Sequence, residues 1–131
     1  MAPLPMSEQI PAARVLVVDD EDLVRDAMCD MLDLEGIPFL SAEDGAAGVA
    51  LVERHADGIG LVILDLTMPG LSGEETFRKI RARAPGLSIV LSSGRDRATA
   101  LAPLANEAVA GYLQKPYSLS EMVGLVRRLM S

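Results

Sequence analysis

Short aliphatic runs alternate with amphipathic stretches along almost the whole of this chain, and that alternation leaves few folds open. VLVV at 15–18 and LVIL at 61–64 are unbroken apolar segments. A strand that is apolar at every position must be buried on both faces, which is the situation of a strand inside a parallel sheet covered by helices. The expected class is α/β: a five-stranded parallel sheet with helices on both faces.

Local signals place the elements. The first strand, Val15 to Val18, runs into acid, and a helix is expected from about Glu21 to Glu35. In that helix Leu23, Val24, Ala27, Met28, Met31 and Leu32 recur at helical spacing, and Gly36 is placed to end it. Ile37 to Leu40 reads as a short second strand, with Pro38 tolerable at a sheet edge. Asp44 and Gly45 open a second helix whose apolar positions are Ala46, Val49, Ala50 and Val52. Asp57 to Gly60 then turn into a third strand, Leu61 to Leu64. Beyond the Met68-Pro69-Gly70 turn a helix is expected over 73–84, with acids in its first turn and Lys79, Arg81 and Arg83 later, an order that suits the helix dipole. Leu87 to Leu91 and Val109 to Leu113 are the fourth and fifth strands. Between them Pro103 allows only a short or frayed helix. The last helix spans 118–130, with Ser118 as N-cap and Glu121 as its capping-box partner.

Residues 1–12, with Pro3, Pro5 and Pro11, read as a flexible leader, and residues 13–131 as one domain. Two Phe, two Tyr and no Trp leave the core to aliphatic side chains. A net charge of -7 argues against direct nucleic-acid binding, which relies on clustered Lys and Arg. No apolar run approaches the roughly 18 residues of a membrane helix, and the expected location is the cytoplasm. Cys29 stands alone and reads as a buried structural thiol, while the single His55 reads as a surface residue near a helix end. Neither supports catalysis.

The chemistry is carried by position. Asp19, Asp20 and Glu21 follow the first strand directly, and Asp65 follows the third. Ligands of open parallel sheets bind beyond the carboxyl ends of the strands, so adjacent first and third strands would gather these acids around one crevice. Carboxylates converging without a cation raise one another's pKa values and destabilise the fold. A hard divalent ion resolves this, and an oxygen-only donor set lacking His and Cys suits Mg²⁺. Lys115 follows the fifth strand, and Ser92 and Ser93 the fourth. A phosphoryl group on Asp65 could therefore be met by positive charge and by a hydroxyl. Taken alone, Asp19-Asp20 is an ordinary acidic helix start; only the combination with Asp65 and Lys115 makes a site.

At these residues the sequence resembles the receiver domains of two-component signalling. The resemblance rests on VLVVDDE at 15–21, LVILDLTMPGLSG at 61–73, LSSG at 91–94 and GYLQKPY at 111–117, and spans residues 14–130. It implies the flavodoxin-like strand order 2-1-3-4-5. It also implies that Asp65 is the phosphoacceptor, with Mg²⁺ held by Asp19, Asp20, Asp65 and the backbone carbonyl of Thr67. Lys115 would pair with the phosphoryl group, with Pro116 following in a cis peptide. Ser93, by its spacing from Lys115 and the small Gly94 after it, would be the switch hydroxyl, and Tyr112 the aromatic that turns inward with it. Thr67 and Arg95 occupy the positions that tune dephosphorylation.

The partners so implied are a histidine kinase or histidine phosphotransfer protein and a downstream protein target, with the chain a monomer or weak dimer. The LSSG and AGYLQKPY segments also resemble receivers attached to hybrid sensor kinases, so both a stand-alone regulator and one domain of a larger protein fit. The expected role is that of a signalling phosphoacceptor, not an enzyme. Three other classes fit these residues less well. An aspartate-nucleophile phosphohydrolase usually carries a second acid two positions after the nucleophile, where this chain has Thr67. An FMN-binding flavodoxin would need a Ser/Thr/Gly-rich loop after the first strand. A receiver-like module that no longer accepts phosphate would not need the full set of Asp19, Asp20, Asp65, Ser93 and Lys115.

Overall fold

A computed structural model describes residues 13–68, 70, 72–104 and 107–130. Strands and helices alternate in chain order: β1 Arg14–Val18, α1 Asp22–Leu34, β2 Phe39–Ala42, α2 Gly45–His55, β3 Ile59–Asp65, α3 Gly73–Arg83, β4 Ser88–Ser93, α4 Arg97–Leu101, β5 Gly111–Gln114 and α5 Leu119–Met130. Single 3₁₀ turns follow α2 at Ala56–Gly58 and α4 at Ala102–Leu104. The strands pair in parallel in the order β2-β1-β3-β4-β5, as expected. The leader, Pro69 and the middle of the Met68–Gly70 turn lie outside the described residues.

Alternation along each strand divides the core in two. Val15 and Val17 of β1, Leu61 and Ile63 of β3 and Val90 of β4 point to one face, where α1 and α5 cover them with Met28, Leu32, Met122, Val123 and Val126. Leu16, Val18, Val62, Leu64, Ile89 and Leu91 point to the other, under Val49 and Val52 of α2 and Phe77 and Ile80 of α3. Burying one such side chain is worth about 1.5–3 kcal/mol. An exposed ion pair such as Arg83–Glu53 is worth about 0.2–1 kcal/mol. The two apolar layers, rather than surface charge, hold the helices to the sheet.

Several boundaries differ from those expected, for physical reasons. β2 begins at Phe39, because Pro38 lacks an N–H; Pro38 instead leads into the edge by accepting a 3.0 Å bond from Val15 N–H. β3 and β4 run through polar residues to Asp65 and Ser93, since ladder pairing continues past the point where apolar character stops. β5 starts two residues later than expected, at Gly111. α4 has five residues and stops before Pro103, the short helix expected there.

In two helices the apolar positions divide between core and surface. Leu23 is 86% exposed and does not pack on the sheet; the inward positions of α1 are Met28 and Leu32, one turn apart. In α2 the alanines 46 and 50 face outward, and Gly45 and Gly48 take the inner face with Val49 and Val52. A Cβ at Gly48 would sit 2.9 Å from Val18 Cγ2, so the glycine lets α2 approach β1 more closely than alanine would. Cys29 is half-buried rather than buried, with burial pushing its thiol pKa up, and His55 is half-buried at the end of α2. The caps follow expectation. Asp44 accepts from Ala47 N–H at 2.8 Å and Ser118 from Glu121 N–H at 3.0 Å, while Gly36 at φ +71° ends α1.

Candidate functional site

The site is built by register. Val18 pairs with Leu64, so the next residues, Asp19 and Asp65, leave adjacent strands side by side. Asp65 itself pairs with Ser92, and Ser93 with Gln114, which brings Lys115 to the same edge. Lys115 is held there by its N–H, which donates to the Ser93 carbonyl at 2.7 Å. One carboxylate oxygen from each of Asp19, Asp20, Glu21 and Asp65 lies within 4.8 Å of the others. Asp19 and Asp65 are 2% and 1% exposed, whereas Glu21 is at the surface.

Lys115 Nζ is the cation at the centre of this cluster. It donates to Asp65 Oδ2 at 3.2 Å, Asp19 Oδ2 at 3.3 Å and Glu21 Oε1 at 3.3 Å. The second Asp65 oxygen accepts from both the backbone N–H and the hydroxyl of Thr67, each at 2.9 Å. Burial pushes the Asp19 pKa up, and the neighbouring Asp65 charge adds to it against Glu21 N–H and Lys115. Burial opposes the charge on Lys115, but Asp65 and Asp19 outweigh it and hold the ammonium well above its usual range.

Four carboxylates thus cluster around one ammonium, which bonds three of them. This surplus of negative charge, with oxygen donors alone and the half-buried Asp20 carboxylate turned into the same cluster, fits a hard divalent cation. The Lys115–Pro116 peptide bond is cis.

Ser93 and Tyr112 meet directly. Their hydroxyl oxygens are 2.6 Å apart, Arg95 N–H donates to Ser93 Oγ at 3.1 Å, and the Tyr112 hydroxyl donates to the Arg95 carbonyl. With the tyrosine proton so committed, Ser93 donates to the phenol oxygen. The Ser93 hydroxyl therefore faces Tyr112. Ser93, Thr67 and Arg95 line one cavity of about 210 Å³ beside the acid cluster.

Two contributors were not singled out in the sequence. A Cβ on Gly73 would fall 2.5 Å from Leu66 Cα and 2.6 Å from its carbonyl oxygen, so α3 starts against the residue that follows Asp65 only because position 73 is glycine. A glycine in the first helical turn, with Ser72 already serving as the cap, was the available signal. Arg25 donates to the Asp19 carbonyl at 2.8 Å, and nothing in its spacing announces that contact.

Residues 15–127 match the family model described as the response regulator receiver domain. The chain belongs to that family. The receiver is 32% identical over 117 residues to the response regulator protein FleR of Pseudomonas aeruginosa, an alignment covering 89% of this chain and 24% of FleR. It is 30% identical over 116 residues to the sensory transduction protein RegX3 of Mycobacterium tuberculosis, covering 88% of this chain and 50% of that protein. The receiver thus spans half or less of the length of these curated relatives. Among solved structures it resembles a response regulator receiver domain protein from Clostridium thermocellum, with TM-score 0.82 and 24% identity over 90% of this chain and 94% of that one. It likewise resembles the chemotaxis protein CheY4 of Vibrio cholerae, with TM-score 0.80 and 23% identity over 91% and 99%. At these identities the structural likeness establishes the fold.

The cluster gives the receiver an alkaline limit. Burial above all, with Asp19, Asp65 and Glu21 nearby, pushes Tyr117 from its ordinary 10.0 up to about 12. A proton held more firmly in the folded than in the unfolded state means that stability falls as pH rises between those two values; Lys115, raised above 10.5, acts in the same direction. Denaturant midpoints should therefore drop as pH rises from about 10 towards about 12, the window of the Tyr117 shift. Tyr117→Phe should flatten the drop, and an unchanged slope would show that Tyr117 titrates no differently when folded.

Proposed function

We propose that this receiver accepts a phosphoryl group on Asp65 from the phosphohistidine of a histidine kinase or histidine phosphotransfer protein, and passes the change to a downstream protein. The observation that carries this reading is the near-complete burial of the Asp65 carboxylate among Lys115, Thr67 and three further acids. A carboxylate so enclosed is oriented for in-line attack and shielded from competing water. An Asp65 oxygen forms the new P–O bond, the P–N bond to the donor histidine breaks, and the imidazole nitrogen keeps the electron pair.

Asp19, Asp20, Asp65 and the Thr67 carbonyl are the residues that would hold Mg²⁺, which when bound neutralises charge on the phosphoryl oxygens and the attacking carboxylate. Lys115 then moves from the acids to the phosphoryl oxygens. Ser93 leaves Tyr112 for the same oxygens, Tyr112 stays turned inward on the Arg95 carbonyl, and the change shifts the face formed by α4, β5 and α5. Thr67 and Arg95 flank the bound group and set how readily water reaches it. At the position where a phosphohydrolase would have its second acid, Thr67 donates to Asp65, so the signalling role is the one proposed, with the receiver working in the cytoplasm as a monomer or weak dimer and without direct contact to nucleic acid. No helix of the described residues is long and apolar enough to cross a membrane.

The phosphodonor is proposed to dock on α1 beside the site. Leu23, Val24, Ala27, Pro116 and Leu119 line an open groove there, together with Glu21 and Lys115. Leu23→Asp should slow transfer from a phosphohistidine donor at least about tenfold, the scale of a central apolar contact, while leaving labelling by a small acyl phosphate unchanged. Equal slowing of both would place Leu23 in the chemistry instead of the docking.

The reading as a whole is tested by intact mass. With a small acyl phosphate and Mg²⁺ the protein should gain one phosphoryl group, labile to hydroxylamine, and chelation of the metal should prevent the gain. No gain with metal present would overturn the proposal.

A further inference from the structure

We infer that Arg25 is a positioning residue for the cation site: its guanidinium fixes the peptide unit from which Asp20 projects. This rests on the Mg²⁺-dependent phosphoacceptor reading above and names a part of the machinery that the acids themselves do not reveal.

The turn between β1 and α1 must hold two carboxylates at set directions although the pairing of β1 ends at Val18. Three of its bonds bear on the direction of the chain there. Asp19 N–H donates to the Ala42 carbonyl at 3.2 Å, Glu21 N–H to Asp19 Oδ1 at 2.9 Å, and Arg25 Nη1 to the Asp19 carbonyl at 2.8 Å. The first two orient Asp19. Among the described residues only the third acts on the plane shared by the Asp19 carbonyl and the Asp20 N–H, and because that unit is planar, fixing its oxygen fixes the direction in which the chain enters Asp20. Asp20 has no side-chain hydrogen bond of its own among the described residues, so its aim depends on its backbone.

Arg25 is suited to this work. Its side chain is 14% exposed, tucked against the turn, while its other nitrogen pairs with Asp22, which is 77% exposed. A rigid, planar guanidinium can hold both at once, which a single ammonium cannot do in the same geometry. Lys115 and Arg25 therefore divide two tasks. Lys115 sits on the carboxylates themselves and must be free to leave for a phosphoryl group, whereas Arg25 sits on the backbone and stays.

The test is calorimetric titration of the full chain with Mg²⁺ alone, beside the Mg²⁺ dependence of labelling by a small acyl phosphate. Arg25→Gln should weaken Mg²⁺ binding about tenfold, the low end of what loss of a ligand-orienting partner costs, with the labelling rate at saturating Mg²⁺ near that of the wild type. Binding equal to the wild type would overturn the assignment. Asp22→Asn, at an exposed position that folding tolerates, keeps the carbonyl bond and should bind Mg²⁺ within about twofold of the wild type, as a surface pair contributes little. A loss as large as that of Arg25→Gln would also overturn it, by making the ion pair and not the carbonyl bond the determinant. If the wild type itself neither binds Mg²⁺ nor labels, the phosphoacceptor reading fails; if it does both and Arg25→Gln matches it, only the role of Arg25 fails.

Discussion

Asp65→Asn will abolish phosphoryl uptake while leaving a folded protein. Asparagine keeps the shape of aspartate, and its carbonyl oxygen can still accept from the Thr67 N–H and hydroxyl, which bond Asp65 Oδ1 at 2.9 Å. What is lost is the anionic oxygen, the nucleophile. The expected result is no mass gain under conditions that label the wild type fully, a loss of at least about 100-fold given what removing a nucleophile costs. Stability should change by no more than about 1 kcal/mol, since the substitution removes repulsion with Asp19 as well as attraction to Lys115. Labelling of the Asn protein at the wild-type rate would mean that the acceptor lies elsewhere.

Lys115→Met will show its largest effect on stability, and the effect will depend on pH and on metal. Removing the ammonium strands the carboxylates of Asp19 and Asp65, both buried. Stranding one partner of a fully buried pair costs about 3–5 kcal/mol; with Lys115 itself 20% exposed and the cluster open to water on one side, about 2 kcal/mol is expected near neutral pH. The sign with pH follows from Asp19, whose pKa is already raised in the folded state. Without Lys115 it rises further, so the folded state takes up a proton before the unfolded one, and the deficit against the wild type shrinks as pH falls towards the ordinary carboxyl range. Mg²⁺ should shrink it as well, because a cation that binds only the folded form stabilises it by mass action. Chemical denaturation at pH 7 and 5, with and without Mg²⁺, measures all of this. A deficit indifferent to both would mean that Lys115 serves packing rather than charge.

Much of this was legible in order along the chain. The buried character of Val15–Val18 and Leu61–Leu64 is written in consecutive apolar residues, and the placing of Asp19, Asp65 and Lys115 at strand carboxyl ends follows from where those runs stop. Helix faces were less legible. Leu23 fits the helical spacing yet is exposed, and of the apolar positions of the second helix Val49 and Val52 are buried with Gly45 and Gly48 while Ala46 and Ala50 are exposed. Periodicity says that a helix has an apolar side, but when small residues lie on both sides only packing against β1 selects which one turns inward.

By itself the sequence determined the class of fold and the chemical types available at one edge of the sheet, because burial pattern and strand ends are local properties read residue by residue. Tertiary structure decided which atoms share the charge: that Lys115 serves three carboxylates, that Ser93 rests against Tyr112, that Gly73 admits α3 beside Leu66, and that Arg25 holds the Asp19 carbonyl. Such contacts join residues as far as 96 positions apart. They depend on strand register and on distances of a few tenths of an ångström, which no local pattern encodes.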